Sequence, residues 1–242
     1  GRSAKYVEGV KLEEAGNLLE ALRCYGRLIE IDSSYIAAIN NVGCICMQLS
    51  LFQHAVSYFK AASVLALGRK KILPNLALAY AKLAFNHLEH LDYAGAKTNA
   101  LLSVSLDSDS LETPWVCYFQ AEVSLGNAVQ ILPTAKALLY AHPDWKDLAT
   151  LVLHLIFDTG YANYLSDFVD EWVKKLDLAN NKKLVHLYTE HLRSKGLKAE
   201  AMAIADSFWE NCVSAVLYKV GCLFESGKPY EAWKLCAKLL EK

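Results

Sequence analysis

Apolar residues recur along this chain at the three- and four-residue spacing that lines one face of a helix, and no useful stretch alternates apolar with polar at period two. The pattern predicts helices throughout and no strands. The longest apolar run, Leu148 to Phe157 with His154 inside it, falls well short of the roughly 20 residues that a bilayer-spanning helix needs. The pattern also repeats: Tyr6 to Ser33 superimposes on Asn40 to Leu67 with a shift of 34, placing Gly9 on Gly43, Ala21 on Ala55, Tyr25 on Phe59 and Leu28 on Ala62. Two antiparallel helices that cross closely need small residues where their backbones approach and a large ring filling the space beside them.

Small residues at repeat positions 8 and 15, Ala at 20, an aromatic ring at 24 and a small or apolar residue at 27 make a pattern that resembles the tetratricopeptide repeat. Position 15 ends the first helix of each hairpin in the left-handed region. Followed down the chain, that turn falls at Gly16, Ser50, Leu91, Gly126, Gly160, Gly196 and Gly227, in steps of 34, 41, 35, 34, 36 and 31. The resemblance implies an all-α right-handed α-solenoid of about seven antiparallel helical hairpins, each burying its face against its neighbours. The repeats run approximately over 4–35, 36–69, 70–110, 111–144, 145–180, 181–212 and 213–242, as one domain behind Gly1, Arg2 and Ser3, which read as a tag remnant. In the fifth repeat Leu165 and Trp172 stand at small positions, so only the turn and the periodicity carry it.

The third repeat needs seven extra residues, two helical turns. Either both its helices are lengthened or its first helix and turn overhang the stack near Ala84 to Leu91. Proline is costly inside a helix and comfortable in its first turn. Pro74, Pro114, Pro133, Pro143 and Pro229 all fall at expected starts or ends, Thr113 is placed to cap the helix at Pro114, and Pro133 sets the start of its helix near Leu132. The last helix, from Tyr230, carries Trp233, Cys236, Leu239 and Leu240 with no polar capping helix after it, as expected of a piece of a longer protein.

With 12 glycines and 5 prolines among 242 residues, the chain is no disordered linker. Its 25 basic residues nearly balance 26 acidic ones, which argues against a nucleic-acid partner. Seven cysteines, an odd number lying mostly on apolar helical stretches, suit reduced thiols and a cytoplasmic setting.

Catalytic signatures are missing: no glycine-rich phosphate loop, nucleophile elbow, H-E-x-x-H or C-x-x-C occurs. His87 with His90, and His186 with Glu190, offer paired groups without a third or fourth ligand, so no metal, cofactor or enzymatic activity is expected. In tetratricopeptide proteins the first helix of each hairpin lines a concave groove, with positions 2, 5, 9 and 12 pointing into it. The resemblance therefore implies a peptide-binding groove lined by Tyr6 and Val10, then Asn40, Cys44 and Met47, then Lys71 and Leu78 with Ala81. Gln120, His154, His186, Glu190 and Arg193 continue it. At position 6, Asn41 and Asn75 form two rungs of a possible amide ladder, as in the O-linked N-acetylglucosamine transferases, where such amides bond a peptide backbone; Tyr218 and others do not continue it. These amides could equally brace their own hairpins. The implied function is a non-catalytic protein-interaction module without membrane insertion; the alternative is the substrate-targeting arm of a multidomain enzyme such as a glycosyltransferase. Self-association through the uncapped last helix is a further expectation.

Overall fold

The computed structural model describes residues 1–67, 71–208 and 212–241; the expected repeat boundary at 69/70 and the terminal Lys242 lie outside the described residues. Fourteen α-helices and one 3-10 turn, Leu178–Asn180, form among the described residues, which contain no strand. The chain divides into two compact units, Gly1–Asn127 and Ala128–Lys242.

The first unit holds α1 (Arg2–Glu14), α2 (Leu18–Ile31), α3 (Ile36–Gln48), α4 (Phe52–Leu65), α5 (Leu73–Glu89), α6 (Tyr93–Leu106) and α7 (Glu112–Ser124). Helices pair as α1 with α2, α3 with α4 and α5 with α6, and the second helix of each pair packs on the next helix in the chain. The rings of Tyr25 and Phe59 are buried between helices. A Cβ on Gly9 would stand 2.6 Å from the Tyr25 ring and one on Gly43 2.6 Å from the Phe59 ring, so both glycines are required by close packing. The second unit holds α8 (Ala128–Ala141), α9 (Lys146–Asp158), α10 (Ser166–Val173), α11 (Lys182–Ser194), α12 (Lys198–Phe208), α13 (Val213–Glu225) and α14 (Pro229–Leu240). Its core includes Trp172, Leu148, Leu153, Ile156 and Leu184. The fifth hairpin keeps only a short second helix, the eight residues of α10, filled by Trp172 where the repeat wants a small side chain.

All seven expected turns are left-handed, at Gly16, Gly126, Gly160, Gly196 and Gly227 and, without glycine, at Ser50 (φ 58°) and Leu91 (φ 60°). The hydrogen bonds are the same throughout. Asn17 N–H donates to the Leu12 carbonyl at 2.8 Å and Gly16 N–H to Glu13, and the pair recurs as Leu51 to Cys46 with Ser50 to Met47, and as Asp92 to His87 with Leu91 to Leu88. These are Schellman bonds, which satisfy carbonyls that a helix end leaves free.

The seven added residues of the third repeat are distributed differently from either expectation. α5 has 17 residues where α3 has 13, and α6 has 14, the same as α4. The remaining three lie in sequence between the end of α4 at Leu65 and the start of α5 at Leu73, a stretch that includes residues outside the described ones. The extension does not overhang, because Ala84 is fully buried with Ala100 and Cys117, and Leu88 packs on them. Pro133 likewise corrects its expectation: α8 begins at Ala128 with the proline inside it, where its missing N–H leaves the Val129 carbonyl without a helical donor. The residue preceding α7 is Leu111, not Thr113. Arg2 and Ser3 are helical, and Arg2 Nη1 lies 3.1 Å from Asp32 Oδ2.

Candidate functional site

In the first unit the expected groove residues are drawn into contacts with one another. Tyr6 is half-buried, its ring centroid 5.9 Å from that of Tyr25 and 5.8 Å from that of Tyr35. Asn41 on α3 donates to the Tyr6 hydroxyl at 3.2 Å and to the Tyr25 hydroxyl at 3.0 Å, while the Tyr25 hydroxyl donates to Glu13 at 2.9 Å. Asn75 on α5 donates to Asn40 Oδ1 at 3.2 Å, and Asn40 Nδ2 lies 3.9 Å from Cys44 Sγ. Each position-6 amide thus reaches back to the first helix of the hairpin before it. Val10, Cys44 and Met47 are half-buried against the core of this unit. Burial pushes the Cys44 thiol up, with Glu13 adding to the shift, so it is no reactive thiolate. Lys71, Leu78 and Gln120 are exposed, and Ala81 is buried rather than groove-facing.

The second unit differs. His154 on α9 is half-buried; its Nε2 has no hydrogen-bond partner among the described residues, and burial together with nearby Lys183 pulls its pKa down. His186, Glu190 and Arg193 stand at i, i+4 and i+7 along one face of α11 and line a cleft of about 250 Å³ against α13. On the α13 side the cleft is lined by Leu217, Tyr218, Gly221 and Glu225, among others. Arg193 Nη2 donates to Glu225 Oε1 at 3.3 Å, Lys198 Nζ lies 2.6 Å from Glu225 Oε2, and the Arg193 guanidinium sits 5.7 Å from the centre of the Tyr218 ring. Tyr218 is 8% exposed. Among the described residues its hydroxyl has no hydrogen-bond partner of ordinary geometry, only the weakly polar Cys222 thiol beside it. Burial pushes the phenol up to about 12, with Cys222 and the charge of Glu190 contributing, so it is a neutral donor at physiological pH.

Sequence reasoning singled out three residues on the α11 wall and missed the α13 wall. The signal was present: counting from the turn at Gly227, Gly221 falls at position 9, a groove slot of the earlier hairpins, and Tyr218 at position 6, the slot of the amide ladder. Neither imidazole pair assembles into a metal site; His87 instead approaches Asp92 at 2.9 Å, and no group of three or more His, Cys, Asp or Glu placed to hold a metal ion occurs among the described residues.

No family model and no curated protein matches this sequence. Solved structures do match its fold. A tetratricopeptide repeat protein from Parabacteroides merdae superimposes with a TM-score of 0.54 at 13% identity, covering 98% of this chain and 91% of that one. PilF of Pseudomonas aeruginosa gives a TM-score of 0.54 at 13% identity over 90% and 96% of the two chains. No helix among the described residues is long and apolar enough to cross a membrane. With its seven left-handed turns and paired helices, the chain has the fold of the tetratricopeptide-like helical repeats.

Proposed function

We propose that this chain is a non-catalytic scaffold that binds a peptide or protein segment along the faces of its first helices. The supporting observation is the cleft between α11 and α13, where successive first helices face each other with exposed charged, polar and apolar side chains that the core does not use. A cleft of that composition suits recognition of an extended segment with a few anchors. Seven free thiols, four of them buried, support a reducing, cytoplasmic setting. The test is a peptide array probed with the intact chain, followed by calorimetric titration of any binders. Binding that distinguishes peptides from shuffled controls is expected; uniform background across the array overturns the proposal.

A further inference from the structure

Two residues of α13 sacrifice stability without a reason among the described residues, and both line the same cleft. The buried Tyr218 hydroxyl has lost water and found no proper hydrogen bond in exchange, an arrangement unfavourable by itself. Gly221 lies inside the helix, where glycine is disfavoured relative to alanine. Its described neighbours do not require it: a Cβ there would meet nothing within 4 Å among the described residues, in contrast to Gly9 and Gly43. A polar group lacking its partner beside a stretch of bare helix backbone leaves room for something from outside.

The charges say what that is. Glu225 is already engaged by Arg193 and Lys198, whereas Glu190 makes no hydrogen bond or ion pair among the described residues and lies close enough for its charge to be felt at the Tyr218 hydroxyl. An anion would face Glu190 and Glu225, and a cation would face Arg193. A neutral group with both an acceptor and a donor fits both sides. We propose that the α11–α13 cleft binds an amide of a partner peptide, its carbonyl accepting from the Tyr218 hydroxyl and its N–H donating to Glu190. Gly221 lets the amide approach the helix, and Leu217, 55% exposed, offers an apolar rest for the adjoining side chain. Arg193, exposed and tied to Glu225 only by a surface pair, swings off the Tyr218 ring to admit it. The amide comes from the peptide main chain or from an Asn or Gln side chain. This assignment rests on the interaction reading above and commits it to one place and one chemistry.

The experiment uses the isotope-labelled intact chain and capped tetrapeptides: one of alanine, one carrying a single Gln, and one each carrying Lys or Glu at the same position. Nuclear magnetic resonance follows the Gly221 amide and the Tyr218 ring. Saturable shifts at both with the neutral peptides are expected. A tighter fit for the Gln peptide assigns the side-chain source, and equal fits assign the main chain. Tyr218→Phe is expected to melt at the same or a higher temperature than wild type while weakening binding about 2- to 13-fold, the worth of one neutral hydrogen bond. Gly221→Ala is expected to melt higher and also bind more weakly. A lower melting temperature for Tyr218→Phe, unchanged affinity in both variants, or preference for the Lys or Glu peptide overturns the assignment. Shifts confined to other helices overturn this site while leaving the interaction reading intact; no shift anywhere overturns both.

Discussion

The first two hairpins and the last use their first-helix glycines and their position-6 polar side chains in opposite ways. In α1 and α3, Gly9 and Gly43 are dictated by rings pressed against them, and at position 6 Asn41 is satisfied by two tyrosine hydroxyls. In α13 the glycine at position 9 has open space around it, and Tyr218 at position 6 is buried without a proper partner. The glycines differ in slot, position 8 against position 9, but Asn41 and Tyr218 share position 6, so at that slot place in the repeat does not reveal whether a residue serves the fold or faces outward. What separates the two is whether the surrounding chain accounts for the residue's cost. Where it does, the residue braces; where it does not, an external partner becomes the economical explanation.

The sharpest way to break this comparison is to add one methyl group at each kind of glycine. Gly43→Ala drives a Cβ into the Phe59 ring, which is 1% exposed and has nowhere to go, so overpacking of about 1–3 kcal/mol is expected in addition to lost repeat packing. Gly221→Ala is expected to gain roughly 1 kcal/mol of stability from helix propensity. Paired thermal melts decide it. Destabilisation of both variants to a similar degree would erase the distinction between them.

The amides come next in size. Asn41→Ala removes the donor shared by Tyr6 and Tyr25, and although the buried Tyr25 hydroxyl keeps Glu13, a loss of about 1–2 kcal/mol is expected. Asn75→Ala removes one bond to Asn40, and about 1 kcal/mol is expected. Chemical denaturation of the single and double variants measures this. If the double variant kept full stability and lost only peptide affinity, the amides would be ladder rungs rather than braces.

These particulars show what the sequence could and could not reveal. The seven turns were legible because a Schellman end demands positive φ and spacing locates it even where Ser50 or Leu91 replaces glycine. The seven-residue insertion could be counted but not placed, because whether four residues extend α5 depends on Ala84 finding Ala100 and Cys117, a tertiary contact. Pro133 misled for a related reason, since packing of α8 on α9 sustains a helix that local preference would start later. At the site, the tetratricopeptide resemblance, through the groove slots it implies, pointed to the α11 wall. It could not show that Asn41 is spoken for by Tyr25 while Tyr218 is not, because each answer lies in another helix.

Buried imidazoles in the second unit set a response to acid. His191 on α11 is 5% exposed, between the rings of Phe157 and Tyr188, with Nε2 3.3 Å from Ser166 Oγ. Burial first and Lys195 second hold its pKa below the ordinary value, outweighing Asp170. An imidazole that takes up a proton less readily when folded gives its full stabilisation above the unfolded pKa of about 6.5, and that stabilisation declines as pH falls toward the lowered folded value. His154 shifts in the same direction. Melting temperature is expected to fall between about pH 7 and 5, and His191→Gln to flatten the fall; an equal slope in the variant would remove His191 as its source.

The smallest expected effect extends the comparison to the turns, and its sign is opposite to most substitutions. Five of the seven helix ends use glycine; Leu91 holds the same left-handed conformation with a branched side chain that is 70% exposed. That conformation costs an L-residue on the order of 1–2 kcal/mol, and little burial is lost by removing the side chain. The turn survives because its neighbours over-determine it. Asp92 caps α6 by accepting from Gly95 N–H at 3.0 Å and approaches His87 Nδ1 at 2.9 Å, so the end of α5 is tied to the start of α6. Leu91→Gly should relieve the strain while adding freedom to the unfolded chain, for a net gain of about 0.5–1 kcal/mol. Chevron analysis by stopped-flow denaturation would read the gain as slower unfolding. A loss of stability instead would mean that the Leu91 side chain itself, and not only the backbone bonds and the Asp92 clasp, holds the turn closed.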